Sequence, residues 1–377
     1  MNDRISRFGM IRLSTFLALL LVTMTGLSRA ATDWPLWKSY VAAFMDNQIR
    51  VIDRDSGDRT TSEAQAYAMF FALVADDRTR FDGLLRWTEV NLASGDLTAH
   101  LPAWSWGRAK NNQWGVLDHN SAADADVWMA YTLLQAGQAW NEPRYTALGT
   151  ALAKRIAAEE AYQIPGFGPV LLPGPNGFRT ANSYRLNVSY VPLQLFLRLA
   201  HELPDGPWGE IATRVSDLVS NSAPHGFVTD WIEFKDGRFT PSPVGSYDAI
   251  RVYLWAGMLD PATPGRDAIL KALSGMATYL HSNSIPPAKV RQNGSIEDPK
   301  GPVGFSAALL PYLSALGEKE LEAGQSSRMR AEFDPQNGLY GKPPRYYDQN
   351  LALFSLGWTE RRFWFDSQAN LKMAWKH

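Results

Sequence analysis

The sequence predicts an all-α fold in which helix pairs close into a ring. Apolar residues recur at helical spacing in segment after segment, strict alternation is nearly absent, and the helices are evenly spaced. About twelve helices are predicted over residues 31–377, or about 29 residues per helix and loop, which suits helices of three to four turns with ordinary links. Even spacing without a repeat consensus of the TPR or HEAT kind favours a closed ring over an open superhelix.

The elements follow in order. Residues 1–30 read as an export leader: Arg4, Arg7 and Arg12 precede an uncharged stretch at 13–27, and Ser28-Arg29-Ala30 offers small residues at a cleavage site. Such a stretch is short of the roughly 20 residues that span a bilayer. Helices are predicted to begin near Trp34, Ser62, Arg78, Ala123, Glu142, Ser189, Pro207, Ser246, Arg266, Val303, Lys319 and Tyr347. Residues 230–241 are predicted to form a hairpin, because Lys235-Asp236-Gly237 separates two short apolar-polar runs. Residues 163–187 are rich in Gly and Pro and read as a long loop. No linker or charge block divides the chain, so residues 31–377 are expected to form a single domain.

Composition removes several function classes. The 37 basic and 38 acidic residues nearly cancel, and no basic stripe is present to track phosphates, so nucleic acid is not an expected partner. The absence of cysteine excludes disulfides, zinc–thiolate sites and cysteine nucleophiles. The histidines at 100, 119, 201, 225, 281 and 377 form no His-x-x-x-His pair, and no P-loop, dinucleotide fingerprint or Gly-x-Ser-x-Gly elbow appears. Neither a metal nor a cofactor is therefore expected.

Three acids occupy equivalent places. Glu63, Asp124 and Asp248 open the second, fourth and eighth predicted helices. In a ring of alternating outer and inner helices, the even-numbered ones run the same way, and their N-termini meet at one mouth. Tyr190 and Tyr347, at the starts of the sixth and twelfth, would join them. Taken singly, each acid reads as well as a capping group: Thr60-x-x-Glu63 fits a capping box, and Asp124 fits an N-cap. Taken together they can act as a pair with separated pKa values. Arg251, one turn after Asp248, is placed to hold that carboxylate ionised, and the apolar run after Glu63 is placed to keep a proton on it. Two such carboxyls are what glycosidic bond cleavage requires. Trp104, Trp106, Trp114, Tyr184 and Trp231 fall in predicted loops, where flat aromatic faces can stack on sugar rings, whereas Trp87, Trp128 and Trp255 fall at core spacing.

At these residues the sequence resembles glycoside hydrolase family 8, and within it the periplasmic cellulases that accompany bacterial cellulose synthase. The resemblance runs along almost all of residues 31–377. It is carried by Thr60-Thr61-Ser62-Glu63 with Gln65 and Tyr67, by Leu101-Pro102-Ala103-Trp104-Ser105-Trp106-Gly107, and by Val116-Leu117-Asp118. Further carriers are Asp124-Ala125-Asp126-Val127-Trp128-Met129-Ala130, Ser246-Tyr247-Asp248-Ala249-Ile250-Arg251-Val252-Tyr253, and Lys300-Gly301-Pro302-Val303-Gly304-Phe305-Ser306.

The resemblance implies an (α/α)6 barrel of six helix pairs, here with a small β-hairpin insertion, that cleaves β-1,4-glucan with inversion and without a metal. It implies Glu63 as general acid, Asp248 as general base, Asp124 as the group that binds and distorts the sugar at the cleavage point, and Tyr190 as a positioner of the water. Trp104, Trp106, Tyr184, Tyr247, Arg251 and Tyr347 are the implied sugar contacts. Val188 stands where the family usually has Pro, Ala123 where it has Ser or Thr, and Tyr184 where close relatives often carry Trp. An inverting pair implies carboxyl groups about 6.5–9.5 Å apart. The implied setting is the periplasm and the implied partner a cellulose synthase or export complex. The sequence leaves two alternatives open: a xylanase or mixed-linkage glucanase on the same scaffold, and a non-catalytic glucan-binding subunit. Asp118 and Asp126 are the acids that could exchange roles with Asp124.

Overall fold

The computed structural model describes residues 33–376, and the expected leader at 1–30 lies outside the described residues. Thirteen α-helices are present among the described residues: α1 Pro35–Phe44, α2 Ser62–Val74, α3 Arg78–Asn91, α4 Ala123–Ala139, α5 Pro143–Glu159, α6 Leu193–Glu202 and α7 Trp208–Ser222. They continue with α8 Ala249–Gly257, α9 Arg266–Ala272, α10 Ser274–Leu280, α11 Val303–Leu316, α12 Lys319–Ala331 and α13 Tyr346–Thr359. The thirteenth arises because the helix predicted at Arg266 is broken at Leu273. There the Gly275 amide donates to Gly226 O in a neighbouring loop instead of continuing its own helix.

Burial separates the helices into two rings. In α5 the buried residues are Tyr145, Gly149, Leu152, Ala153 and Ile156, and in α7 Trp208, Ile211, Ala212, Val215, Leu218, Val219 and Ser222, in each case a single stripe of an amphipathic outer helix. All nine residues of α8 are buried, and every residue of α2 except Glu63. Helices buried on nearly every side belong inside: α2, α4, α8, α11 and α13, joined by α6, which buries six of its ten residues, form that inner ring. Within it α2 packs on α4, α4 on α6, α8 on α11 and α11 on α13, which returns to α2 and closes the circle. The 3₁₀ turn Val188–Tyr190 packs against α8 beside α6. The result is the expected barrel of six helix pairs.

The axis is filled by aromatic rings. Phe354 of α13 lies 4.7 Å from Phe71 and 5.0 Å from Tyr67 of α2, 5.0 Å from Trp128 of α4 and 5.1 Å from Trp255 of α8. Close approach has its own requirement at Gly257, where a Cβ would stand 2.2 Å from the Tyr312 amide of α11.

Strands are more numerous than the single hairpin expected. The predicted one is present as β7 (Ile232–Lys235) and β8 (Arg238–Pro241), turning through Asp236 and Gly237 at φ of 50° and 74°. It extends through β6 (Ser183–Leu186) into a three-stranded sheet. A second sheet joins β1 (Thr60–Thr61), β2 (Ser105–Arg108) and β3 (Trp114–Asp118), and a third joins β9 (Val244–Gly245), β10 (Lys289–Arg291) and β11 (Ile296–Asp298). Much of the predicted loop at 163–187 is strand as well, with β4 (Ala161–Ile164) paired to β5 (Gly168–Leu171). Trp106, Trp114 and Tyr184 accordingly lie on strands and not in loops. Strands of two to five residues are too short for alternation to declare itself.

Candidate active site

The starts of α2, α4 and α8 converge as the ring requires, and one side chain measures the convergence. Arg251, in the first turn of α8, donates from Nη1 to Glu63 Oε2 and, at 3.0 Å, to Asp124 Oδ2. Its Nη2 donates to Asp248 Oδ1 at 2.6 Å and to Ser189 Oγ at 2.9 Å, and Nη1 also reaches the Tyr67 hydroxyl at 3.2 Å. The ring of Tyr190 lies under the same guanidinium, 5.6 Å from Cζ. The expected pairing of Arg251 with Asp248 is present. Nothing in the sequence signals that one arginine also holds the other two acids, which lie 188 and 127 residues away.

Glu63 and Asp248 are not spent as capping residues, and Asp124 gives only one of its oxygens to a first-turn amide. The cap of α2 is Thr61, whose side chain accepts from the Ala64 amide, so Thr60 and Glu63 form no capping box. Thr60 instead donates to Val51 O and accepts from Arg50. Asp124 lies two residues past the cap position of α4, Ala122, and takes the Ala125 amide on Oδ1 at 2.8 Å while Oδ2 faces Arg251. For α8 the amides of Ser246 and Ala249 go to Asp230 Oδ1, at 2.7 and 2.9 Å.

Exposure orders the group from the mouth inwards. The side chains of Asp248 and Glu63 are 30% and 21% exposed, and those of Asp124 and Arg251 are 3%. Burial, opposed by Arg251 and reinforced by the charges of Asp124 and Asp248, pushes the Glu63 carboxyl up to about 7. Burial raises Asp124 also, against the pull of Arg251. The site can thus present a protonated carboxyl on Glu63 alongside the more open Asp248, which is bound to Arg251.

The other predicted residues are distributed around this centre. The Tyr347 hydroxyl donates to Tyr247 O, and the Tyr247 ring is exposed beside Tyr347 and Phe305. Trp104 is half-buried, 5.7 Å from the Arg59 guanidinium. Trp106 stacks on the exposed Trp114 at 5.2 Å, with Arg50 over both rings. Tyr184 is buried against Tyr162. Trp87, Trp128 and Trp255 are buried, and Trp255 Nε1 donates to Ser189 O. Of the alternative acids, Asp118 is exposed and held below the usual range by Trp104 and by the Asn120 amide. Asp126 is fully buried beside Glu160 and shares no bond with Arg251.

Sequence reasoning passed over Ser189 and Asp230 as individual contributors. Both act through contacts between segments distant in sequence, for which one chain carries no signal.

Comparison with known proteins agrees with this architecture. The profile of Glycosyl hydrolases family 8 matches residues 9–361. A protein named Endoglucanase from Xanthomonas axonopodis pv. citri is 43% identical over 348 residues, covering 91% of this chain and 90% of its own. Its Escherichia coli K12 namesake is 42% identical over 92% of this chain and 93% of its own. The crystal structure of an endo-1,4-D-glucanase from Vibrio fischeri ES114 superposes with a TM-score of 0.86 at 40% identity, over 92% of this chain and all of that one. No helix among the described residues is long and apolar enough to cross a membrane. A barrel of six helix pairs with carboxyl groups gathered at one mouth, matched along nearly its whole length, makes this chain a glycoside hydrolase belonging to family 8.

Proposed function

We propose that the chain is an endo-1,4-β-glucanase that cuts cellulose-type chains by a single inverting displacement. The observation that carries this reading is the gathering of Glu63, Asp124 and Asp248 on one buried guanidinium, with the proton favoured on Glu63. The names of the relatives given above support the substrate class.

In this reading Glu63 protonates the leaving glycosidic oxygen. Asp248, the most open of the three, accepts a proton from water attacking the far face of the ring. Asp124 binds the sugar at the cleavage point, and Tyr190, packed against Arg251, helps to place the water. Trp104, Trp106, Tyr247 and Tyr347 line the path of the glucan in this reading, whereas Tyr184, buried against Tyr162, offers the sugar no open face. A guanidinium bridging Glu63 and Asp248 limits their facing oxygens to about 8 Å or less. The lower part of the inverting range, about 6.5–8 Å, lies within that limit. The leader-like residues 1–30 and the branch that the sequence resembles support a periplasmic place of work beside a cellulose synthase.

The test is hydrolysis of cellohexaose, xylohexaose and a mixed-linkage glucan oligomer of equal length by wild type and Glu63→Gln. The expected result is internal cleavage of cellohexaose at the highest kcat/KM and loss of about 10³-fold or more in the variant. Faster cleavage of either other oligomer overturns the substrate, and binding without cleavage by wild type overturns the activity.

A further inference from the structure

Asp230 lies outside the group held by Arg251, yet it touches the backbone on both sides of Asp248. Its Oδ1 accepts from the Ser246 amide at 2.7 Å and from the Ala249 amide at 2.9 Å. A helical turn leads into α8 from Ser246, whose carbonyl accepts from the Ile250 amide; in that turn, which precedes the regular helix starting at Ala249, Ser246 stands where an N-cap would and Ala249 three residues on. In an ordinary capping box the side chain of the cap takes the third amide, and a Glu at the third position takes the cap amide. Here the Ser246 hydroxyl is committed to Ala288 O at 2.8 Å, and the third position is an alanine. One oxygen of a residue 16 to 19 positions upstream does both tasks. Asp230 is itself fixed where the β7–β8 sheet leaves the barrel, its amide donating to Val244 O at 3.0 Å.

The start of α4 is built differently. There nothing external serves the third amide, and Asp124 takes it with its own Oδ1. Counted from the carbonyl that takes the first i+4 amide, Ser246 O from Ile250 and Ala122 O from Asp126, Asp248 has the place in its first turn that Asp124 has in α4, and the Ala249 amide corresponds to that of Ala125. Asp230 occupies that donor.

We propose that Asp230 is a positioning residue for Asp248, an N-cap supplied from another segment that keeps the Asp248 carboxylate off its own helix and turned to the cleft. The assignment rests on Asp248 being the general base. Loss of Asp230 lets Asp248 fold back onto the Ala249 amide, as Asp124 does onto Ala125, and the water loses its acceptor. Asparagine keeps an oxygen acceptor at the same reach, whereas serine falls short of both amides.

The experiment measures kcat and KM on cellohexaose for wild type, Asp230→Ala, Asp230→Ser, Asp230→Asn, Asp248→Asn and the double variant Asp230→Ala with Asp248→Asn, each checked for a cooperative melt. D248N is expected to lose about 10³-fold in kcat. D230A and D230S are expected to lose about 10²-fold, the effect of a displacement near 1 Å, with KM within about threefold. D230N should stay within about fivefold of wild type, and the double variant should lie within about threefold of D248N, because the misplaced group is already absent. If D230A does not fold, D230S against D230N gives the same contrast, and a D230N without activity overturns the proposal. Wild-type kcat in D230A with D248N inactive also overturns it and leaves the base assignment standing. A full further 10²-fold loss in the double variant assigns Asp230 a general structural role and overturns it as well. Substantial activity in D248N overturns the base assignment itself.

Discussion

Three carboxyl groups gathered on one buried guanidinium cannot all ionise without leaving charge unbalanced in a poorly solvated place. The proton that relieves this is held at Glu63, the carboxyl that burial pushes up to about 7. Its folded value lies above the ordinary one, so the protonated form and its contribution to stability persist at acid pH and are lost as pH rises through about 7. Because the acid proposed at Glu63 acts in its protonated form, kcat/KM should fall on the alkaline side with a midpoint near 7, read from a pH–rate profile on cellohexaose. Arg251 is the counterpart. Arg251→Leu leaves the carboxyls facing one another, and we expect the unfolding free energy in urea to drop by about 3–5 kcal/mol. Arg251→Lys should restore part of that stability without restoring turnover, because an ammonium cannot span three carboxylates as a planar fork does.

Among the elements, the first turns of the inner helices differ in how they are held. Asp230 holds α8, and Thr61 caps α2. At α4 a buried clasp is used: Ser121 Oγ donates to Glu160 Oε1 at 2.5 Å, and Asp126 lies against the same carboxyl. Among the described residues no other N–H or O–H reaches Glu160 Oε2 or either oxygen of Asp126, so the two carboxyls need a proton between them. Burial pushes Glu160 up to about 8 and raises Asp126 strongly. Folding thus takes up protons here, and stability should decline as pH rises from about 4.5 towards 8. Melting temperatures across that range should fall for wild type and fall less for Glu160→Gln. A steeper fall in E160Q would contradict the shared proton. These helix starts also divide what one chain reveals from what it hides. Those at Ser62, Arg78, Ala123, Arg266, Val303 and Lys319 fall where apolar periodicity placed them, because fully buried or singly striped helices declare themselves. The Asp236-Gly237 turn was legible from its chemistry alone. The break at Leu273, the capping of α2 by Thr61 and the clasp at α4 were not, since each depends on how the local chain meets its surroundings.

For the whole molecule, the site exists because the ring closes. Residues 63, 124 and 248 meet only when α2, α4 and α8 take their places in one inner circle and α13 returns to α2. The sequence revealed the three acids through their shared position at the starts of even-numbered helices, a pattern that has meaning only in a closed ring. It could not reveal that Arg251 joins them, because nothing local distinguishes an arginine serving one carboxylate from an arginine serving three. The proposed reaction stands or falls on water, activated by Asp248, attacking opposite an acid at Glu63. Proton NMR of cellohexaose during its first turnovers reads the face of attack. Wild type should release α-anomeric product first and Glu63→Gln none, whereas β-anomeric product appearing first would rule out the inverting displacement.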